Sequence, residues 1–169
     1  MYVSCYNRFY NYGVKFTNNV ALVEDAIQEV LMTIWSGREK IKDIANPDAY
    51  FLSSFRNALF KKIKAVALQV PIGQGEWEPD FSAEAIILKR ETDNELQQQF
   101  KKALNTLTPR QREAIFLRFY EGLSYEEVAE TLGITVKATY KIMARALTQL
   151  KDNLSLPLIY MLLFLRGVA

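Results

Sequence analysis

The sequence predicts an all-α protein made of two small helical domains joined by a linker, the C-terminal one a four-helix domain with a helix-turn-helix. Three observations predict it. Apolar residues recur at helical spacing along nearly the whole chain, and no strand-like alternation persists. Helix-breaking residues are also scarce, with 7 Gly and 5 Pro among 169 residues. At 50% hydrophobic and 24% charged, the composition is that of an ordinary globular chain with enough apolar surface for a core.

The elements follow in chain order. Between Tyr2 and Thr17, an aromatic stripe of Tyr2, Tyr6, Phe9, Gly13 and Phe16 falls at helical spacing and reads as core. Asn18 and Asn19 interrupt it. A second helix, running to Trp35, places Val23, Ala26, Ile27, Val30, Leu31 and Ile34 on one face, with Asp25, Gln28, Glu29 and Met32 projecting elsewhere. Ser36 to Ala45 forms a basic connection containing Arg38, Lys40 and Lys42. Asn46 then caps a third helix with Pro47 at its first position. To about Ala67, this helix interleaves Tyr50, Phe51, Leu52, Phe55, Leu59, Phe60 and Ile63 with Arg56, Asn57, Lys61, Lys62 and Lys64. The run VPIGQGEWEP, with its glycines and prolines, ends the first domain.

A further helix begins near Ser82 or later and carries Leu96, Phe100, Leu104 and Leu107 as its apolar stripe. Thr108 caps the next one, with Pro109 at its first position and Gln111 completing a capping box, and Gly122 closes it. Ser124 and Glu127 form a second capping box, Val128, Ala129 and Leu132 face inward, and Gly133 ends that helix. Thr135 caps the last helix, which continues without Gly or Pro for roughly sixteen residues. The domain boundaries read from this pattern are 1–69, an acidic linker 70–90, 91–153, and a hydrophobic tail 154–169.

The two helices from Ser124 to Leu150, joined by a tight turn, are the unit that presents a helix to DNA. In the second of them, at about 100° per residue, Thr139, Ile142, Met143, Ala146, Leu147 and Leu150 fall within an arc of roughly 140° and form the buried side. Opposite lie Lys137, Tyr140, Lys141, Ala144, Arg145 and Thr148, a face with no acid. Arg can read guanine bidentately in the major groove, and Lys and Tyr can hold phosphates or base edges. Arg110 and Arg112 lie in the first turns of the helix capped by Thr108, where phosphates are also favoured. In the first domain, aromatics beside cations are the composition that grips unpaired bases, but most of those rings must pack against the first two helices, so alone the signal is weak.

Charge divides the chain the same way. Residues 1–70 carry nine Lys/Arg against six Asp/Glu (+3), residues 71–100 two against seven (−5), and residues 101–169 ten against six (+4), which sum to the net +2. Two basic ends flank an acidic middle, the asymmetry of two nucleic-acid-facing domains around a segment with a different environment. With one cysteine, Cys5, and no histidine, neither an internal disulfide, a Cys/His zinc site nor a histidine base can be built. No acidic cluster falls at inward helical spacing, so the sequence argues against an enzyme, a metal site, a cofactor or a small-molecule substrate. No signal segment opens the chain and no apolar run reaches membrane-spanning length, which points to the cytoplasm. The tail LSLPLIYMLLFL is too short to span a bilayer and is expected to bury itself against the second domain or a partner, membrane-surface attachment being the other reading.

The order of VEDAIQEVLMTIW, a basic loop, ANPDAYFLSSFRNALFKKIK, an acidic linker and LTPRQREAIFLRFYEGLSYEEVAETLGIT resembles an extracytoplasmic-function (ECF) sigma factor, the compact two-domain specificity subunit of bacterial RNA polymerase. The resemblance spans roughly residues 2–152. It implies that Asp25, Gln28, Glu29 and Met32 dock on core RNA polymerase, and that Arg56, Asn57, Lys61 and Lys62, with Tyr50 a further possibility, contact the −10 region and capture an extruded base. It implies that Thr108, Arg110, Arg112, Lys137, Tyr140, Lys141, Ala144 and Arg145 contact the −35 element, and that an anti-sigma factor is the candidate regulatory partner. The acidic linker would thread a basic polymerase channel or act as a solvated tether. Two departures stand out: Thr139 replaces the usual Val or Ile, and the start is about ten residues short of the family's, which fits either a late start codon or trimming. A stand-alone helix-turn-helix regulator, with residues 1–70 as a dimerisation or sensing module, and a sigma-like protein that does not open promoters are the competing readings.

Overall fold

The structure is a computed structural model; it describes residues 2–41, 44, 46–67 and 94–153. Among these residues every regular element is helical. The helices are α1 (Tyr2–Gly13), α2 (Val20–Ser36), α3 (Arg38–Ile41), α4 (Pro47–Ala67), α5 (Asn94–Asn105), α6 (Pro109–Ile115), α7 (Tyr125–Leu132) and α8 (Val136–Asn153), with a π-helical turn, Phe116–Tyr120, continuing α6. They form two compact units, α1–α4 and α5–α8.

In the first unit, α2 and α4 pack along one another and α1 lies against both. The core is Phe9 and Tyr12 from α1, Val23, Ala26, Ile27 and Val30 from α2, and Ala49, Leu52, Phe55 and Leu59 from α4. Of the aromatic stripe, Phe9 and Gly13 are buried and Tyr6 and Phe16 half-buried: Phe9 stacks on Phe55 with centroids 4.8 Å apart, and Phe16 meets Phe60 edge-on at 4.9 Å. Leu31 and Ile34 are only half-buried and line surface grooves. Asn19, read from the sequence only as an interruption, is the N-cap of α2, its Oδ1 accepting from the Leu22 N–H. The capping role of Asn46 is realised too, with Ala49 N–H donating to its Oδ1. Within the basic connection the chain makes one helical turn, α3, which the sequence reading did not anticipate.

In the second unit, α6 and α7 pack on α8, and α5 contributes Phe100 and Leu104 to a core with Ile115, Phe116, Leu117, Val128, Leu132, Met143, Ala146 and Leu150. Both capping boxes form: Thr108 with Gln111, and Ser124 with Glu127. Gly133 takes the left-handed conformation, φ 63°, and the Ile134 N–H bonds to the Ala129 carbonyl, closing the turn.

The helix opened by Thr108 is not evenly α-helical to Gly122. It instead widens by one residue after Ile115, with Glu121 N–H reaching Phe116 O at 3.1 Å and Leu123 N–H reaching Leu117 O at 3.1 Å, and Gly122 supplies the positive φ (73°) that lets it stop. The acidic linker 70–90, the tail 154–169 and positions 42, 43 and 45 of the basic connection lie outside the described residues.

Candidate nucleic-acid interface

Helix α8 divides as its spacing demands. Thr139, Met143, Ala146 and Leu150 are buried, Ile142 and Leu147 are half-buried, and Lys137, Tyr140, Lys141, Ala144, Arg145 and Thr148 are exposed. Thr139 is tolerated inside because its hydroxyl donates to the Thr135 carbonyl at 3.3 Å, so no polar group is orphaned. Thr135 itself caps α8, its Oγ1 accepting from the Ala138 N–H at 3.2 Å. The result is an exposed helical face with three cations, a tyrosine and a small residue, and no carboxylate.

Tyr140 is 52% exposed, yet its ring stacks on that of Tyr125 with centroids 4.3 Å apart and planes 13° apart. On α6, Thr108 and Arg110 are exposed at the helix start, the positive end of the helix dipole. Arg112 differs from Arg110: it is 9% exposed and lies among buried Gln111, Glu113 and Ala114.

In the first unit, α2, α3 and α4 enclose a groove of about 410 Å³ lined by Glu29, Thr33, Ile41, Ile44, Tyr50, Ser54, Asn57 and Lys61. It brings together two of the predicted −10 contacts, Asn57 and Lys61, with Tyr50, which is 38% exposed and available at the rim. The other two predicted contacts are elsewhere. Arg56 lies with its guanidinium 4.2 Å from the Phe60 ring centroid. The Lys62 ammonium bridges Asp25 Oδ2 at 2.6 Å and Glu29 Oε2 at 2.8 Å, which raises its pKa above the ordinary lysine value, chiefly through the bond to Asp25 and then that to Glu29. One residue predicted to touch DNA therefore holds two predicted to touch polymerase.

The exposed face of α2 carries Gln28 and Met32 and continues to Trp35 at helical spacing, the last two each 71% exposed. With Cys5, Leu31 and Phe51 they line a shallow apolar groove. The sequence reading selected Gln28 and Met32 but passed over Trp35, whose place three residues after Met32 and seven after Gln28 was the available signal. Arg38 sits over the Trp35 ring at 5.1 Å and donates to the Trp35 carbonyl. Among the described residues no group of side chains could hold a metal ion, and no helix is long and apolar enough to cross a membrane.

Comparison with known proteins separates along the same lines. The family model for Sigma-70 region 2 matches residues 1–67, and that for Sigma-70 region 4 matches residues 97–150. The chain is similar to the ECF RNA polymerase sigma factor SigL of Mycobacterium tuberculosis, 26% identical over 147 residues, covering 82% of this chain and 79% of that protein. It is also similar to the RNA polymerase sigma-E factor of Streptomyces coelicolor, 29% identical over 132 residues, with 78% and 71% of the two chains covered. Among solved structures, the fold resembles the sigma factor RpoE of Bartonella quintana, in a complex with the anti-sigma factor NepR, at a TM-score of 0.61 and 24% identity over 89% of this chain and 91% of that one.

Proposed function

This chain belongs to the ECF group of the sigma-70 family, promoter-recognising factors of bacterial transcription initiation, and we propose that its two units divide that recognition between the −10 and −35 elements. The observation that carries the division is the exposed, acid-free face of α8 in one unit and the groove of Tyr50, Asn57 and Lys61 in the other. A major groove admits a helix whose cations meet phosphates and whose Arg145 can pair bidentately with a guanine. The groove of the first unit suits an unpaired base: Tyr50 offers a ring at its rim, Asn57 an amide for a base edge, and Lys61 a cation for the neighbouring phosphate. Capturing such a base supplies free energy for opening the duplex without ATP.

The −35 contacts are then Thr108, Arg110, Lys137, Tyr140, Lys141, Ala144 and Arg145, while buried Arg112 supports the helix that carries two of them. Gln28, Met32 and Trp35 present the apolar surface that docks on core RNA polymerase, with Asp25 and Glu29 as its acidic border. The domains span 1–69 and 91–153, with 70–90 as linker, and the protein works in the cytoplasm, where its polymerase and promoters are. An anti-sigma factor, the kind of partner bound by the Bartonella quintana sigma factor, is the regulator proposed for it. The family acts in initiation without catalysing a reaction of its own, so no cofactor is required.

Gel filtration of the full chain with purified core polymerase tests the reading. Co-elution as a one-to-one complex is expected. A chain that stays apart from polymerase but shifts duplex DNA as a dimer would instead be a stand-alone regulator.

A further inference from the structure

The turn before α7, α7 itself and α8 are connected by a column of three side chains. Arg118, on the π-helical turn, donates from Nη1 to the Leu123 carbonyl at 2.6 Å and lays its guanidinium over the Tyr125 ring, 5.1 Å from the centroid. Tyr125, the first residue of α7, stacks in turn on Tyr140 in α8, 4.3 Å away and within 13° of parallel. The base of the column is fixed by backbone. The Ser124–Glu127 capping box holds the start of α7, and Gly133 in its left-handed conformation sets how α7 meets α8. At the top, Tyr140 is half-exposed on the acid-free face, one residue before Lys141 and four before Ala144.

An exposed tyrosine on a helix ordinarily samples several rotamers, and a hydrogen bond from its hydroxyl to one base edge must bear the cost of selecting one. A second ring lying flat against it removes that freedom beforehand, and a guanidinium on the far ring strengthens the stack. Lys137 and Lys141 attract any phosphate and so favour all sequences alike, whereas a ring held in one place meets only one base pair. We propose that Tyr125, backed by Arg118, is a positioning residue for promoter selectivity: it pins Tyr140 so that this side chain reads a single position of the −35 duplex. This inference rests on α8 being the major-groove helix.

Selection of randomised −35 duplexes by the full-length chain bound to core polymerase tests it. Tyr140→Ala identifies the position whose preference Tyr140 supplies. Tyr125→Leu is expected to weaken preference at that same position by about 2- to 10-fold, and to leave preferences elsewhere unchanged. Tyr125→Phe, which keeps the ring, is expected to retain the preference, and Tyr125→Leu combined with Tyr140→Ala to add nothing to Tyr140→Ala alone. Arg118→Gln, which leaves both rings in place, should give a smaller loss at the same position even where Tyr125→Leu does not fold. A uniform fall in binding to all sequences, or a Tyr125→Phe profile as flat as that of Tyr125→Leu, would overturn the inference alone. An unaltered profile for Tyr140→Ala would overturn both it and the reading of Tyr140 on α8.

Discussion

Gly13 sits where α1 has no room for a methyl group: a Cβ there would lie 2.7 Å from Val23 Cγ1 and 3.0 Å from Phe55 Cζ. Because both neighbours are fully buried, Gly13→Ala is expected to destabilise the first unit by about 1–3 kcal/mol, read as a lower denaturant midpoint with an unchanged slope. The sequence placed Gly13 on the inward stripe, but its close approach to α2 and α4 was not visible without them. The two arginines of α6 differ for a similar reason. Exposed Arg110 is expected to supply a phosphate contact, so Arg110→Ala should reduce the salt slope of DNA binding by about 1. Arg112→Ala should lower the melting temperature and leave that slope alone. Spacing alone made the two look equivalent, since which turn of α6 faces the core depends on α8. Arg145→Ala is expected to cost about 1–3 kcal/mol at one promoter position, and equal losses on cognate and scrambled −35 DNA would remove it from base reading.

At the level of elements, α2 and α4 are joined by core packing and by the Lys62 bridge to Asp25 and Glu29. Both carboxylates are more than half exposed, so screening keeps the bridge weak, about 0.5–1 kcal/mol for Lys62→Met. Its pH dependence has a definite sign. The folded state raises the lysine pKa, so the contribution is fully present below the unfolded value of about 10.4 and is lost as pH climbs through the raised one. Urea melts of the wild type should therefore lose stability relative to Lys62→Met only above that pH; an equal difference at pH 8 and pH 11 would deny the bridge a role. Most helix faces and caps were legible in the sequence, because periodicity and local hydrogen bonding determine them: every residue assigned to the open face of α8 is exposed, although Ile142 and Leu147 opposite are only half-buried and the Asn19 cap was not read. The π-helical turn and the pairing of Lys62 were not, since each depends on a partner element brought near by the fold.

For the molecule as a whole, the order of its helices carried more information than any one of them. A helix-turn-helix alone fits many regulators, whereas the same unit preceded by α1–α4 belongs to a sigma factor. On the proposed division of labour, the spacing of the two promoter elements is expected to be set when the first unit docks on polymerase. Gln28→Ala with Trp35→Ala should weaken polymerase binding at least tenfold while leaving the circular dichroism melt unchanged, since both side chains are exposed; unchanged affinity would exclude that face. Run-off transcription with core polymerase on a library of promoter fragments tests the central claim most directly. The account predicts transcripts that require this chain and start at a fixed distance from paired −35 and −10 elements. Absence of any transcript with a polymerase the chain demonstrably binds would contradict it.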